Sequence, residues 1–300
     1  MNLVRTKYFE KINFRLTTYD SRFTTRETHY SPFQQNSANT LHSLTFVAVK
    51  KVLHPLKVLW AYWYFLIFVL IFLIFYPAFA MLLSREKWFR YANRLRVVWA
   101  RLLFLLTGII PSIHFEHELD RNQPYIFCAN HFSYLDIPVS ALSVKRNWRF
   151  MAKAELANIP ILNIFFKNLD ISVDRESNRE SFKAIQEAGD SLDKGFNIVV
   201  YPEGTISPHP PKMVRFKNGP FRLAIEKQIP IVPLTMTDNW RLLFVDGWKM
   251  YGHPGVARVF VHAPIETKGM TMDDLNLLKE KVFHILERDL RNYNTRFAPD

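Results

Sequence analysis

Tyr125-Ile126-Phe127-Cys128 is an apolar run that leads within two residues into Asn130-His131-Phe132-Ser133-Tyr134-Leu135-Asp136. A continuous apolar run of this length reads as a strand covered on both faces, as in a parallel sheet packed between helix layers. His131 then sits where the strand gives way to a loop, and Asp136 lies close enough to meet it across a turn. A carboxylate against one imidazole nitrogen fixes the tautomer and raises the basicity of the other nitrogen. Such a pair is suited to taking a proton from a substrate hydroxyl, because an imidazole with a pKa near ~6.5 is largely neutral at cellular pH.

Spacing alone is weak support, and the chain supplies its own control. His284 and Asp289 share the same separation inside the periodic segment Lys281-Val282-Phe283-His284-Ile285-Leu286-Glu287-Arg288-Asp289. Five helical steps turn about 500°, leaving those two side chains roughly 140° apart, so they cannot meet. A second motif supports the first pair. Asn197-Ile198-Val199-Val200-Tyr201 is another buried-strand candidate and runs into Pro202-Glu203-Gly204-Thr205-Ile206-Ser207. Proline stops a ladder, glycine permits a close backbone approach, and loops after the carboxyl ends of strands are where α/β proteins place their sites.

With these motifs in this order the chain resembles the glycerophospholipid acyltransferases of the lysophosphatidate (1-acyl-sn-glycerol-3-phosphate) acyltransferase type. The family's Asn-His-x-x-x-x-Asp block is matched by Asn130, His131 and Asp136; a block ending in arginine by Ile171-Ser172-Val173-Asp174-Arg175; Pro-Glu-Gly-Thr by Pro202 to Thr205; and an apolar run around two prolines by Ile229-Pro230-Ile231-Val232-Pro233-Leu234. Lys153-Ala154-Glu155-Leu156 followed by Pro160 is also similar to the family, and the likeness spans about residues 110–265. It implies a membrane-bound O-acyltransferase that moves a fatty acyl group from an acyl thioester to the free hydroxyl of a lysophospholipid. The foremost acceptor is 1-acyl-sn-glycerol-3-phosphate, giving phosphatidic acid.

In that reading His131 is the general base and Asp136 orients it. Arg175 grips the acceptor's phosphate. Glu203, Gly204 and Thr205 line the acceptor site. Two departures bear on the acceptor: Ile206 stands where the family continues with arginine, and Asp170 near where it has glycine. Lys212, Arg215 and Lys217 lie just beyond and can replace the missing arginine, or form a solvated basic face. Another lyso-lipid, such as a lyso-aminolipid, is the alternative acceptor. The donor is acyl-CoA or an acyl carrier protein thioester, with no further cofactor. Ser133 lacks the Gly-x-Ser-x-Gly turn of an acyl-enzyme nucleophile.

Net charge +12 over 300 residues points to an anionic partner: a membrane, a nucleic acid or a phosphorylated substrate. The basic residues are dispersed and no nucleic-acid module is recognisable, so membrane lipids are the expected partner. The competing class is a non-enzymatic basic protein that binds anionic lipid. The single cysteine, Cys128, excludes an internal disulfide, and no Cys/His cluster has zinc-site spacing, so no metal is expected.

Val58 to Leu83 carries no charge over 26 residues. As a helix it is about 39 Å long, against a hydrocarbon core of about 30 Å. Trp60, Tyr62, Trp63 and Tyr64 crowd one end in the manner of interface aromatics, and Pro77 permits a re-entrant path instead of a straight span. Trp88 to Ile110 mixes arginines with aromatics, which suits a headgroup layer, and its later half, Leu102 to Ile110, is apolar enough to enter the membrane; a docking helix is the alternative. These features divide the chain into a basic flexible tail (1–50), a membrane-associated helical region (51–110) and a catalytic domain (111–300). The first forty residues also have the composition of a transit peptide. Denser positive charge after the apolar run places the catalytic domain on the cytoplasmic face.

Beyond Pro111, strands are expected at Ser112–Glu116, Tyr125–Cys128, Asn197–Tyr201, Ile229–Leu234 and Arg258–His262. Helices are expected at Asn178–Lys194 (Phe182, Ile185 and Leu192 inward), Pro220–Lys227, and from Thr271 to Tyr293 (Leu275, Leu278, Val282 and Ile285 inward). The fold class is α/β, a layered mixed or parallel sheet flanked by helices and preceded by a membrane-embedded helical motif.

Overall fold

The structure is a computed structural model that describes residues 32–144, 147–174 and 177–296. It divides into two compact units, residues 1–52 and 53–300. In the first, the described part is helical from Pro32, inside the segment read from sequence as a flexible tail; proline is favoured at the first helical position, where no N–H is needed. The rest of that tail lies outside the described residues.

In chain order the elements are α1 (Pro32–Leu82), α2 (Phe89–Thr107), β1 (Ile109–Phe115), β2 (Ile126–Ala129), α3 (Asp136–Ser143), β3 (Trp148–Lys153), α4 (Asn163–Asn168), β4 (Ile171–Val173), α5 (Asn178–Asp193), β5 (Asn197–Val200), α6 (Gly219–Lys227), β6 (Ile231–Met236), α7 (Asn239–Leu242), β7 (Leu243–Asp246), β8 (Lys249–Gly252), β9 (Gly255–Val261) and α8 (Leu275–Arg296). A seven-stranded sheet has the order β1-β9-β6-β2-β5-β3-β4, and β7 and β8 form a separate hairpin. From β6 to β4 every neighbouring pair is parallel. β9 runs antiparallel to β6, and β1 pairs parallel with β9. The sheet is therefore mixed, and the carboxyl ends of β6, β2, β5, β3 and β4 share one rim.

The central strands are apolar throughout because both faces are covered. In β2, Phe127 and Ala129 enter one core with Val199, Val232 and Leu234, while Ile126 and Cys128 enter the other with Ile198, Val200 and Ile231. α1, α2 and α3 supply side chains to the first core, and α5, α6 and α8 to the second. In α5 the inward stripe is Ala184, Ala188 and Leu192, whereas Phe182, expected to face inward, is exposed. Phe182 stands about 200° around the axis from Ala184. In α8 the fully buried stripe is Leu278, Val282, Leu286 and Leu290, a clean i, i+4 series, and Leu275 and Ile285 flank it half-buried. A capping box between Thr271 and Asp274 opens the turn that leads into α8.

α2 docks as well as faces outward. Asn93 Nδ2 donates to the Trp148 carbonyl at 3.0 Å. The buried Arg96 guanidinium grips Asp170 with two parallel hydrogen bonds, one of 3.1 Å from Nη1 to Oδ1, while Asp170 Oδ1 also accepts from Phe150 N at 3.0 Å. Paired and multiply hydrogen-bonded, both charges tolerate burial. Asp170, noted in the sequence as a departure near the acceptor-phosphate region, thus serves to dock α2. In the segment Leu102 to Ile110, expected to enter a membrane, Leu103, Phe104, Thr107 and Ile109 are buried and Leu105, Leu106 and Ile110 are exposed. Gly108, at φ 71°, ends the helix in the left-handed region.

Among the described residues one helix is long and apolar enough to cross a membrane, Leu53–Leu82 within α1. One side of it packs on the unit through Ala61, Tyr64, Ile71, Phe72 and Phe79; the other exposes Leu59, Leu66, Leu70, Leu73 and Ile74.

Candidate active site

Asn130 closes the end of β2 onto β6. Its Nδ2 donates to the Met236 carbonyl at 3.0 Å, and its Oδ1 accepts from Met236 N at 2.8 Å. This amide clamp fixes the point at which the chain leaves the sheet, one residue before His131. His131 is held at three points, two on the ring and one on the backbone. Nδ1 meets Asp136 Oδ2 at 2.9 Å. Its face stacks on Tyr201 with centroids 4.1 Å apart at 18°. Its own backbone N–H donates to Glu203 Oε1 at 2.7 Å. With the proton of Nδ1 directed to the carboxylate, Nε2 keeps its lone pair and has no hydrogen-bond partner among the described residues. The side chain is 14% exposed at the rim.

Asp136 is wholly buried at the start of α3, where the helix dipole favours negative charge. Oδ2 accepts from Phe132 N at 2.7 Å and Ser133 N at 2.9 Å besides the imidazole. Oδ1 accepts from Asn239 Nδ2 at 2.7 Å. The loop from His131 to Leu135 therefore wraps around the carboxylate that orients the ring. Ser133 Oγ donates to the Leu243 carbonyl at 2.7 Å and accepts from Leu135 N at 3.1 Å, so it holds the loop and is not poised as a nucleophile.

Sequence reasoning missed Tyr201 and Asn239. Tyr201 is buried with its hydroxyl 2.9 Å from Ser140 Oγ; burial and then the Asp136 charge push its phenol well above its ordinary value, so a neutral ring faces the imidazole. A neutral phenol face also favours an imidazolium formed beneath it. Asn239 stands just after β6, and only the pairing of β6 with β2 brings it to Asp136.

The control pair behaves as helical geometry requires. His284 is exposed with Glu287 3.7 Å away, while Asp289 turns to Arg288 and to His262. Within the described residues Glu116, His262 and Asp289 form the one group of three with metal-ligating atoms close together. The His262 nitrogens there already meet Glu116 at 2.9 Å and Thr235 Oγ1 at 2.8 Å.

An acyltransferase family model matches residues 111–237, which contain the clamp, the His–Asp pair and the Glu-Gly-Thr corner. Over these residues the chain is similar to the acyltransferase family. Among its relatives, the mouse 1-acyl-sn-glycerol-3-phosphate acyltransferase alpha is 29% identical over 205 residues, covering 67% of this chain and 70% of that one. The human protein of the same name is 28% identical over 211 residues, covering 69% and 73%. The crystal structure of the 1-acyl-sn-glycerophosphate acyltransferase PlsC from Thermotoga maritima has the same fold, with a TM-score of 0.66 at 24% identity over 83% of this chain and 99% of that one.

In this chain Glu203 is a brace. It is buried, and its two oxygens accept from His131 N and, at 2.8 Å, from Val214 N, tying the loop after β5 to the base of His131. Gly204, at φ 75°, makes the corner with its N–H bonded to the Tyr201 carbonyl at 2.9 Å. Thr205 is exposed at the tip. Lys212, Arg215 and Lys217 are exposed on the loop that Glu203 anchors, with no side-chain hydrogen bond or ion pair among the described residues. Arg175 lies outside the described residues, two positions past the end of β4 in the sequence.

Burial pushes the Glu203 carboxyl up to about 7, against the partial relief of its two backbone donors. The folded chain then retains a proton that the unfolded chain releases near the ordinary value of 4.5. This group's contribution to stability is therefore full below that value and falls as pH rises, the loss being complete above about 7. Glu203→Gln cannot ionise, but its amide offers only one acceptor to two backbone donors. We expect it to be less stable throughout, by about 1–3 kcal/mol, with a flatter melting temperature between about pH 5 and pH 7.5. Thermal denaturation across that range reads both effects; a wild-type-like slope in the variant would place the titration elsewhere.

Proposed function

We propose that this chain transfers a fatty acyl group from an acyl thioester to the free hydroxyl of 1-acyl-sn-glycerol-3-phosphate, giving phosphatidic acid. The observation that carries the chemistry is the His131–Asp136 contact at the rim, with no hydrogen-bond partner on Nε2 among the described residues. Nε2 takes the acceptor's hydroxyl proton as that oxygen attacks the thioester carbonyl carbon. Collapse of the tetrahedral intermediate breaks the carbon–sulfur bond, and the imidazolium returns its proton to the departing thiolate. Asp136 compensates the transient positive charge and the Tyr201 face flanks it. No acyl-enzyme is required, in keeping with the engaged Ser133 hydroxyl. The donor is acyl-CoA or acyl carrier protein. The acceptor follows from the names of the relatives and from the exposed cations Lys212, Arg215 and Lys217 on the loop braced by Glu203.

Membrane association belongs to the same reading. A helix apolar on both its covered and its exposed sides needs lipid on the latter. A Cβ on Gly252 of β8 would lie 2.6 Å from the Trp60 ring, and the Phe79 and Phe165 rings are 5.0 Å apart, so α1 lies along the unit between these points. That arrangement suits a helix embedded in one leaflet better than a straight span, since a span would carry the domain into the bilayer. The cytoplasmic leaflet suits the basic surface.

The test compares acyl transfer by the purified full chain to lysophosphatidate, lysophosphatidylcholine and a lyso-aminolipid, in the wild type and in Arg175→Ala. We expect lysophosphatidate to be preferred and Arg175→Ala to lower its kcat/KM about 10–100-fold, the loss of a charge-assisted phosphate contact. Equal losses on the unphosphorylated acceptor would remove Arg175 from the phosphate site. A preference for the aminolipid would replace the acceptor.

A further inference from the structure

The hairpin β7–β8 is the part of the fold that the reaction leaves unexplained. Its turn is Gly247-Trp248, two residues long, with Gly247 at φ 55° as the first turn position requires. Trp248 is 94% exposed. A lone tryptophan held clear of the protein at a turn tip is costly in water unless something else covers it.

The two faces of the hairpin differ. Val245 and Met250 pack on the first core. Phe244 and Tyr251 stack on the other face with centroids 4.8 Å apart, and Tyr251 lies 6.0 Å from His54 at the start of the apolar segment of α1. Trp248 is three residues further out, about 10 Å at strand rise. Trp60 and Trp63 of α1 donate to the Thr107 and Leu106 carbonyls at 3.0 and 3.1 Å, so the exposed Leu105 and Leu106 join Leu56 around this end of α1, and the tip prolongs a patch that the membrane reading already assigns to lipid. Lys249 follows Trp248, and Lys57 lies one turn into the apolar helix; Asp246 is the acid of the hairpin. Tryptophan beside lysine is the composition of a bilayer's headgroup layer.

We propose that the β7–β8 hairpin is an interfacial foot, with Trp248 seated in the headgroup layer of an anionic bilayer beside the amino-terminal end of the apolar helix. The proposal rests on the membrane reading above and adds a contact outside its helices. It also links the bilayer to the reaction. β7 continues directly from α7, whose Asn239 bonds Asp136, and the Leu243 carbonyl at its start accepts from Ser133. A foot planted there sets the height of the His131 rim above the lipid from which the acceptor comes.

The native thiol, Cys128, is fully buried, so one new surface cysteine can be labelled selectively. Trp248→Cys and, separately, Leu56→Cys in the full chain would carry an environment-sensitive fluorophore. Each protein would be reconstituted into phosphatidylcholine–phosphatidylglycerol vesicles with a headgroup-level lipid-borne quencher. The expected result is a blue shift and loss of fluorescence at both positions. Loss at position 56 with an unshifted, unquenched label at 248 would overturn the foot and leave the membrane helix standing. An unquenched label at both would overturn the membrane reading and the foot together.

Discussion

His131→Ala is expected to lower turnover by about 10²–10⁴-fold while leaving the chain folded. The imidazole stands at the rim, 14% exposed, and its loss removes one of three donors from Asp136 Oδ2 while Phe132 N and Ser133 N remain. The backbone of residue 131 keeps its bonds to Glu203 and Ser207, neither of which involves the ring. The Tyr201 face is uncovered, which costs packing but leaves its hydroxyl on Ser140. The defect should therefore lie in kcat and in kcat/KM alike, since proton removal is a transition-state event. Single-turnover transfer from an acyl thioester, with a melting curve on the same sample, reads both parts. Full turnover in this variant would sink the general base and with it the proposed mechanism.

The His–Asp pair and the Glu-Gly-Thr corner are legible because each follows a strand whose apolar run is visible without neighbours. What brings them together is only partly legible. Glu203 reads from sequence as a residue lining the acceptor site, yet both its oxygens are engaged by backbone donors, one of them on His131 itself. Tyr201 reads as the last residue of a strand; that its ring lies against the imidazole follows from the pairing of β5 with β2. Asn239 is 103 residues from Asp136 and becomes its partner only once β6 is laid beside β2.

Other elements escape for local reasons. β3 carries Arg149 in its interior, and a charged residue in a buried strand argues against strand. The structure resolves this by placing the guanidinium near the Phe89 and Phe196 rings, 5.8 and 5.0 Å from their centroids, and 3.3 Å from Glu187. β4 is three residues long, too short for a period. The β7–β8 hairpin does have a signal, Gly247-Trp248 between two short runs with apolar residues, glycine being the residue suited to the first position of a two-residue hairpin turn. It passes unread beside the stronger Arg258–His262 pattern. α2 is the instructive mixed case: its arginines suggest a headgroup layer, and Arg96 is instead buried on Asp170, 74 positions away.

Asp136 should separate orientation from charge through two substitutions that differ in what they leave behind. Asp136→Ala removes the acceptor shared by His131 Nδ1, Phe132 N, Ser133 N and Asn239 Nδ2 from a site without solvent access. Each orphaned buried donor costs about 1–3 kcal/mol, so this variant is expected to lose several kcal/mol of stability together with its activity. Asp136→Asn has a milder structural demand. Its carbonyl oxygen can take the place of Oδ2 and keep the three donors that converge there. Its NH₂ then faces Asn239, whose buried Oδ1 has no hydrogen-bond partner among the described residues. Turning the Asn239 amide over presents that oxygen to the new donor. The asparagine variant should therefore fold nearly as well as the wild type, with His131 still oriented. What it lacks is the negative charge that stabilises the imidazolium after the acceptor's proton is taken, and a loss of turnover of about 10²–10⁴-fold is expected from that alone. A melting temperature close to wild type with collapsed turnover would assign Asp136 an electrostatic role. Near-normal turnover in Asp136→Asn with an unfolded Asp136→Ala would make it a loop staple and nothing more.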